Sequence, residues 1–295
     1  MGDDLRLRRF AFDGDGVTAV VSTRHGGVSA DPYDSLNLGG HVGDDPGAVR
    51  ENRNRLAAGL GVGRLTIADQ KHTATVAVVD ATLAGRGHDG AADSAAAFPA
   101  TDAMITNQPG AALAILVADC APVVFYDPVN RAVGVAHSGR AGTVKGVVPN
   151  TIAAMAAAFG AASEDLLIGI GPAIGAASYE IGDREAAEVA AAFGAAEPKN
   201  AEGAHSSQSA AGAESVESAP WAAVAEKTQL LRPSRPGHAL FDLAGAIRRQ
   251  IAAAGIPAHN VCDLAVDTRT STVDFFSDRA ARPCGRFAAI VILRA

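Results

Sequence analysis

Residues 116–139 read LVADCAPVVFYDPVNRAVGVAHSG, and their pattern decides the fold. Two apolar runs, PVVFYD and AVGVAHSG, flank a turn of Asp127, Pro128, Val129 and Asn130, the signature of a β-hairpin. A third strand signal, ALAILVADC, leads into the first. Cys120 and His137 stand at opposite ends of this hairpin. The local pattern leaves them either as packed core residues or as two parts of a reactive site.

Outward toward the N-terminus, VTAVVST (17–23) reads as a strand that empties into RHGG, which puts Arg24 and His25 at a strand edge. A turn-rich loop then leads into a helix with Asp45 as N-cap and Pro46 at its first position. Val49, Arg53, Leu56 and Leu60 of that helix fall within about 40° of one another at roughly 100° per residue. Arg53 therefore points with the apolar stripe. Such an arginine either snorkels at the edge of the stripe or faces inward to meet an anion. LTIADQKHTATVAVVD (65–80) holds two short β-type runs with Gln70 and His72 between them, and GRGHDGAADSAAAFPA (85–100) reads as a loop of small residues.

Toward the C-terminus, a helix is predicted through IAAMAAAFG, a buried strand in DLLIGIGPAIG and a helix over 183–193. Residues 195–238 are poor in large apolar side chains and rich in Ala, Ser, Glu and Gly, so they read as a low-complexity, mobile insertion. Order returns with FDLAGAIRRQIAAAG, a helix capped by Asp242 and ended by Gly255, and then with the strand FAAIVIL. Strands and helices alternate without a strict βαβ rhythm. The expectation is a single α+β domain over residues 1–295.

Composition narrows the function. The 295 residues are 48% hydrophobic and carry a formal net charge of −7, which disfavours nucleic acid or an anionic membrane as partner. A small anion held by local arginines stays open. Three widely spaced cysteines, Cys120, Cys262 and Cys284, suit a reducing cytoplasm better than a disulfide framework. The first residues hold no apolar run of signal-peptide length, and no stretch approaches a membrane span. A cytoplasmic protein is expected.

His72, Cys120 and His137 each lie at or beside a strand end, where distant residues can converge. One thiolate and two imidazoles suit Zn²⁺ with an open fourth position. A metal-free Cys-His nucleophile pair is the other reactive reading. Asp119 either orients a histidine or caps a turn. GIGPAIG lacks the P-loop lysine and the dinucleotide spacing, and reads as a packed turn. Cys262 and Cys284 read as structural.

Laid out in order, STRHGGVS (22–29), SLNLGGHVGDDPGAVRENRNRL (35–56), QKH (70–72), ADC-P (118–122), AHSG (136–139), GIGPAIG with YEIG (169–182) and FFS-R with GR (275–286) resemble the bacterial laccase-domain proteins. That family is also called multicopper polyphenol oxidase-like and is described as purine nucleoside phosphorylases with adenosine deaminase activity. The resemblance implies two packed mixed sheets flanked by helices, in α/β/β/α-like layers. It implies a metal site of His72, Cys120 and His137, holding zinc rather than the copper of older descriptions. The substrates it implies are a purine nucleoside (inosine, adenosine or guanosine) and phosphate, in a monomer or small homo-oligomer. Arg24, Asn37, Arg53 and Arg140 are then the expected substrate contacts. Where the family often has HAGWRGT this chain has HSGRAGT, so Arg140 and Ala141 replace a Trp-Arg pair. Other readings are a Cys-His hydrolase acting on a peptidoglycan precursor amide (members are also named peptidoglycan editing factor), a copper-dependent polyphenol oxidase, and a non-catalytic nucleoside-binding protein.

Overall fold

The hairpin read from residues 116–139 forms the spine of the larger of two packed sheets. The structure, a computed structural model, describes residues 5–14, 16–194 and 228–295. The six-stranded sheet runs β13 (Val261–Asp263), β9 (Leu167–Ile170), β7 (Ala121–Asp127), β8 (Ala132–Ser138), β5 (Ala103–Thr106) and β4 (Val76–Val78). The β7–β8 turn is tied by Asp127, whose carboxylate accepts from the Val129 and Asn130 amides. A five-stranded sheet runs β1 (Leu7–Arg9), β2 (Val17–Ser22), β14 (Phe287–Leu293), β6 (Ala112–Val117) and β3 (Leu65–Ile67). The chain therefore changes sheets between β6 and β7, and Cys120 sits on that crossing.

Period-two alternation divides the core. From β14, Phe287, Ala289, Val291 and Leu293 enter the layer between the sheets, where they meet Val124, Val133 and Val135. The intervening Ala288, Ile290 and Ile292 face the other way and pack with Leu56 and Leu60 of α1 (Pro46–Gly59) and its C-cap. Asp45 caps α1 as expected, accepting from Ala48 N at 2.8 Å. Each fully buried large apolar side chain contributes roughly 1.5–3 kcal/mol. The far face of the six-stranded sheet is covered by α4 (Val147–Phe159), α5 (Asp183–Phe193) and α6 (Leu243–Ala253) through Ile152, Val189 and Ile247. The result is the α/β/β/α layering in one mixed α+β domain.

Three features add to the sequence reading. Residues 85–100 are not all loop: α2 (Ala91–Ala97) forms there, because alanine, though it gives no apolar stripe, is the strongest helix former. A short helix α3 (Arg140–Val144) precedes α4. A small third sheet runs β10 (Glu180–Gly182), β12 (His238–Phe241) and β11 (Leu231–Pro233). Of the stretch 195–238 expected to be mobile, residues 195–227 lie outside the described residues, while β11 lies within its last part. Among the described residues no helix is long and apolar enough to cross a membrane.

Candidate metal centre

Three chain segments converge at one end of the inter-sheet layer. In the β7–β8 ladder Pro122 pairs with His137 and Ala121 with Ser138, so Cys120 comes just beyond the last pair, facing Gly139. Strand β5 lies on the other side of β8 with Ala103 opposite Ala136, which puts Asp102 beside His137. The loop between β3 and β4 supplies His72. Gln70 fastens this loop by a strand-like pair of bonds to Leu116: its amide nitrogen donates to the carbonyl at 2.8 Å and its oxygen accepts from the amide at 2.9 Å.

One ligand atom each from His72, Cys120 and His137 lies within 4.8 Å of the others. The Cys120 Sγ to His72 Nε2 distance is 3.7 Å. Two ligands on one tetrahedral zinc, with bonds of about 2.0–2.3 Å, stand about 3.5 Å apart, so the spacing fits a single ion. Gly139 makes the cradle possible: a Cβ there would meet Cys120 Sγ at 2.6 Å and His72 Cδ2 at 2.9 Å. Soft sulfur with two imidazoles is a donor set for zinc or copper.

Asp102 organises both histidines. Its Oδ1 lies 2.7 Å from His137 Nδ1, so Nε2 is the ring nitrogen left to face Cys120. The same carboxylate accepts from the amides of Lys71, His72 and Thr73 at 3.1, 3.0 and 2.6 Å, and from Thr73 Oγ1 at 2.7 Å. These bonds hold His72 in the left-handed region, at φ 55°, against a cost of roughly 1–2 kcal/mol for an L-residue. Lys145 Nζ donates to the His72 carbonyl from the other side, at 2.7 Å. Sequence reasoning missed Asp102. Its clearest signal would have been a carboxylate set directly before a short, mainly apolar strand.

The electrostatics follow from this packing. Burial disfavours the Cys120 thiolate, but the His137 charge and hydrogen bonds from His137 and His72 outweigh it and draw the thiol down to about 6. Burial likewise opposes charge on His137, yet Cys120 and Asp102 raise it to about 9. For Asp102, burial is outweighed by donors from His137 and Thr73, which hold its carboxyl well below the usual range. Without a metal, the site is a thiolate beside an imidazolium.

His72, Cys120 and His137 form part of the wall of a cavity of about 470 Å³, within the size range of small-molecule sites. Of the four expected substrate contacts, Arg53 lines this cavity and Arg24, Asn37 and Arg140 do not. Arg24 instead binds the Asp34 carbonyl and carboxylate and the Thr272 carbonyl, over the Phe276 ring. Asn37 is fully buried, and its Oδ1 accepts from the Gly39 and Arg286 amides. Arg140 pairs with Glu188 of α5. Asp119, at φ 79°, does not orient a histidine. Its carboxylate accepts from Thr268 Oγ1, Ser277 Oγ and the Arg279 amide, tying down the loop that carries Asp278, Arg279, Arg282 and Arg286 to the cavity. Tyr179, under the Arg279 guanidinium, also lines it.

The sequence pattern of the family described as multi-copper polyphenol oxidoreductase laccase matches residues 18–294. A Streptomyces coelicolor protein named purine nucleoside phosphorylase is 39% identical over 272 residues, covering 92% of this chain and 93% of that one. A Pseudomonas aeruginosa protein also named purine nucleoside phosphorylase is 34% identical over 279 residues, covering 94% of each chain. The crystal structure of YlmD from Geobacillus stearothermophilus matches with a TM-score of 0.82 at 30% identity, covering 98% of this chain and 97% of that one.

Proposed function

This chain belongs to the multi-copper polyphenol oxidoreductase laccase family, and from that premise we propose that it is a zinc-dependent purine nucleoside phosphorylase with adenosine deaminase activity. The observation that carries the reading is the His72, Cys120 and His137 group, oriented by Asp102, on the wall of a cation-rich cavity of nucleoside size. His72, Cys120 and His137 would hold the ion. When bound, the ion supplies Lewis-acid polarisation to a substrate atom at its open position.

In phosphorolysis a phosphate oxygen forms a bond to ribose C1′ as the C1′–N9 bond breaks, and the purine leaves with the bonding pair and takes up a proton. The chain's own part is to bind the phosphate through cations and to hold the nucleoside against the Tyr179 side of the cavity. In deamination water adds at C6 and ammonia leaves. Asp102 keeps the His137 tautomer fixed in both. Zinc is favoured over copper because one His/Cys cluster is found among the described residues, whereas multicopper chemistry needs several. Three free cysteines agree with action in the cytoplasm.

A second reading rests on the same residues without metal. Cys120, His137 and Asp102 form a nucleophile, base and orienting carboxylate, the set a Cys-His amide hydrolase uses. Elemental analysis of wild type, His72→Ala and Cys120→Ala separates the two. The proposal expects about one zinc per chain, lost together with inosine turnover in both variants. Amide hydrolysis by metal-stripped wild type, abolished by alkylation of Cys120, with no inosine turnover at full zinc occupancy, would favour the hydrolase instead.

A further inference from the structure

Arg53 is 2% exposed, yet among the described residues no carboxylate lies within ion-pair distance of it. Its Nε donates to the Leu38 carbonyl and its Nη1 to those of Gly87 and His88, at 2.8–3.0 Å. Asp89, whose charge it feels, is bound to Arg64. Among the described residues the remaining nitrogen, Nη2, has no hydrogen-bond partner, and it stands where Gly40 has no side chain, a Cβ there lying 3.7 Å away. Burying a cation without an anion costs several kcal/mol, so such an arginine is built to receive a charge from outside.

The surroundings point the same way. Lys71 and Arg286 line the same cavity, each with a carboxylate partner, Asp69 and Asp278. Gly39 packs on the Arg286 stem, and Asn37 clips the Gly39 and Arg286 amides together, so both chain ends meet here. His41 registers the outcome: burial first, then the charges of Arg286, Lys71 and Arg53, lower its pKa. These three cations line one cavity, and Lys71 directly precedes His72.

We propose that the space in front of Arg53 Nη2, beside Gly40 and between Lys71 and Arg286, is a subsite for a phosphate dianion. Arginine suits phosphate through paired, charge-assisted hydrogen bonds. This rests on the phosphorolysis reading only for the source of the phosphate, which is either the free inorganic ion or the phosphoryl group of a nucleotide.

The test is calorimetric titration of inorganic phosphate and, separately, of inosine monophosphate into zinc-loaded wild type, Arg53→Lys and Gly40→Leu. Gly40→Leu fills the space before Nη2 and leaves the three carbonyl bonds of Arg53 intact, so it decides the matter if Arg53→Lys fails to fold. Wild type is expected to bind phosphate, and each folded variant to bind it about ten- to a hundredfold more weakly. Binding of the nucleotide but not of inorganic phosphate, weakened in the same variants, upholds the subsite and removes phosphorolysis. Unchanged binding in Gly40→Leu, or no binding of either anion by wild type, overturns the subsite.

Discussion

Asp102 Oδ1 lies 2.7 Å from His137 Nδ1, and the same carboxylate holds the backbone of the loop that carries His72. One buried acid thus fixes the His137 imidazole directly and positions His72 through its backbone. Asp102→Asn cannot accept all of these bonds, because one of its two terminal atoms is a donor. Zinc affinity, measured by competition with a chromogenic chelator, should fall about 10–100-fold. Metal-free stability should also fall, by about 1–3 kcal/mol in urea unfolding. Because the folded-state carboxyl is depressed, its stabilisation is present above the ordinary unfolded value of about 3.9 and is lost as pH falls below it. Zinc affinity equal to wild type in Asp102→Asn would contradict this role.

Gly139→Ala tests the cradle itself. Gly139 has φ −81°, so alanine suits its backbone and only the clash with Cys120 and His72 matters. The variant should fold, with zinc occupancy and turnover both reduced at least about tenfold. Full occupancy would show that the three ligand atoms do not sit as described.

Metal-stripped protein gives a pH prediction. With its thiol drawn down to about 6, Cys120 is thiolate above that pH and thiol below it. The rate of iodoacetamide labelling at Cys120 should therefore rise through about pH 6 and level off, where an ordinary thiol rises near about 8.5. His137→Ala should move the midpoint upward, and added zinc should suppress labelling. A wild-type midpoint near about 8.5 would remove the thiolate–imidazolium pair.

Asp119→Ala frees the loop of Arg279, Arg282 and Arg286 by removing three hydrogen bonds. A rise in KM for inosine larger than the fall in kcat is expected, with stability lower by about 2–4 kcal/mol. An unchanged KM would show that this loop does not shape the binding wall.

The sequence showed the β7–β8 hairpin because its strands are seven residues each and dominated by apolar side chains, with an unmistakable turn between them. Arg53 was legible too, since its helix has a clear cap and stripe. Asp102 was not: it lies 35 residues from His137, and nothing in its immediate neighbours reveals a partner across the sheet. Arg24 and Asn37 sit in motif-like segments, but those segments are rich in loop-to-loop hydrogen bonds, and both side chains hold the fold together. The small third sheet escaped because strands of three and four residues carry no measurable period.

The most direct measurement is chromatography of the products from inosine, using protein of known zinc content, with and without phosphate. Hypoxanthine and ribose 1-phosphate are expected in equal amounts, formed only when phosphate is present and lost on chelation. Hypoxanthine released at the same rate without phosphate, or no cleavage at full zinc occupancy, would contradict the proposed function.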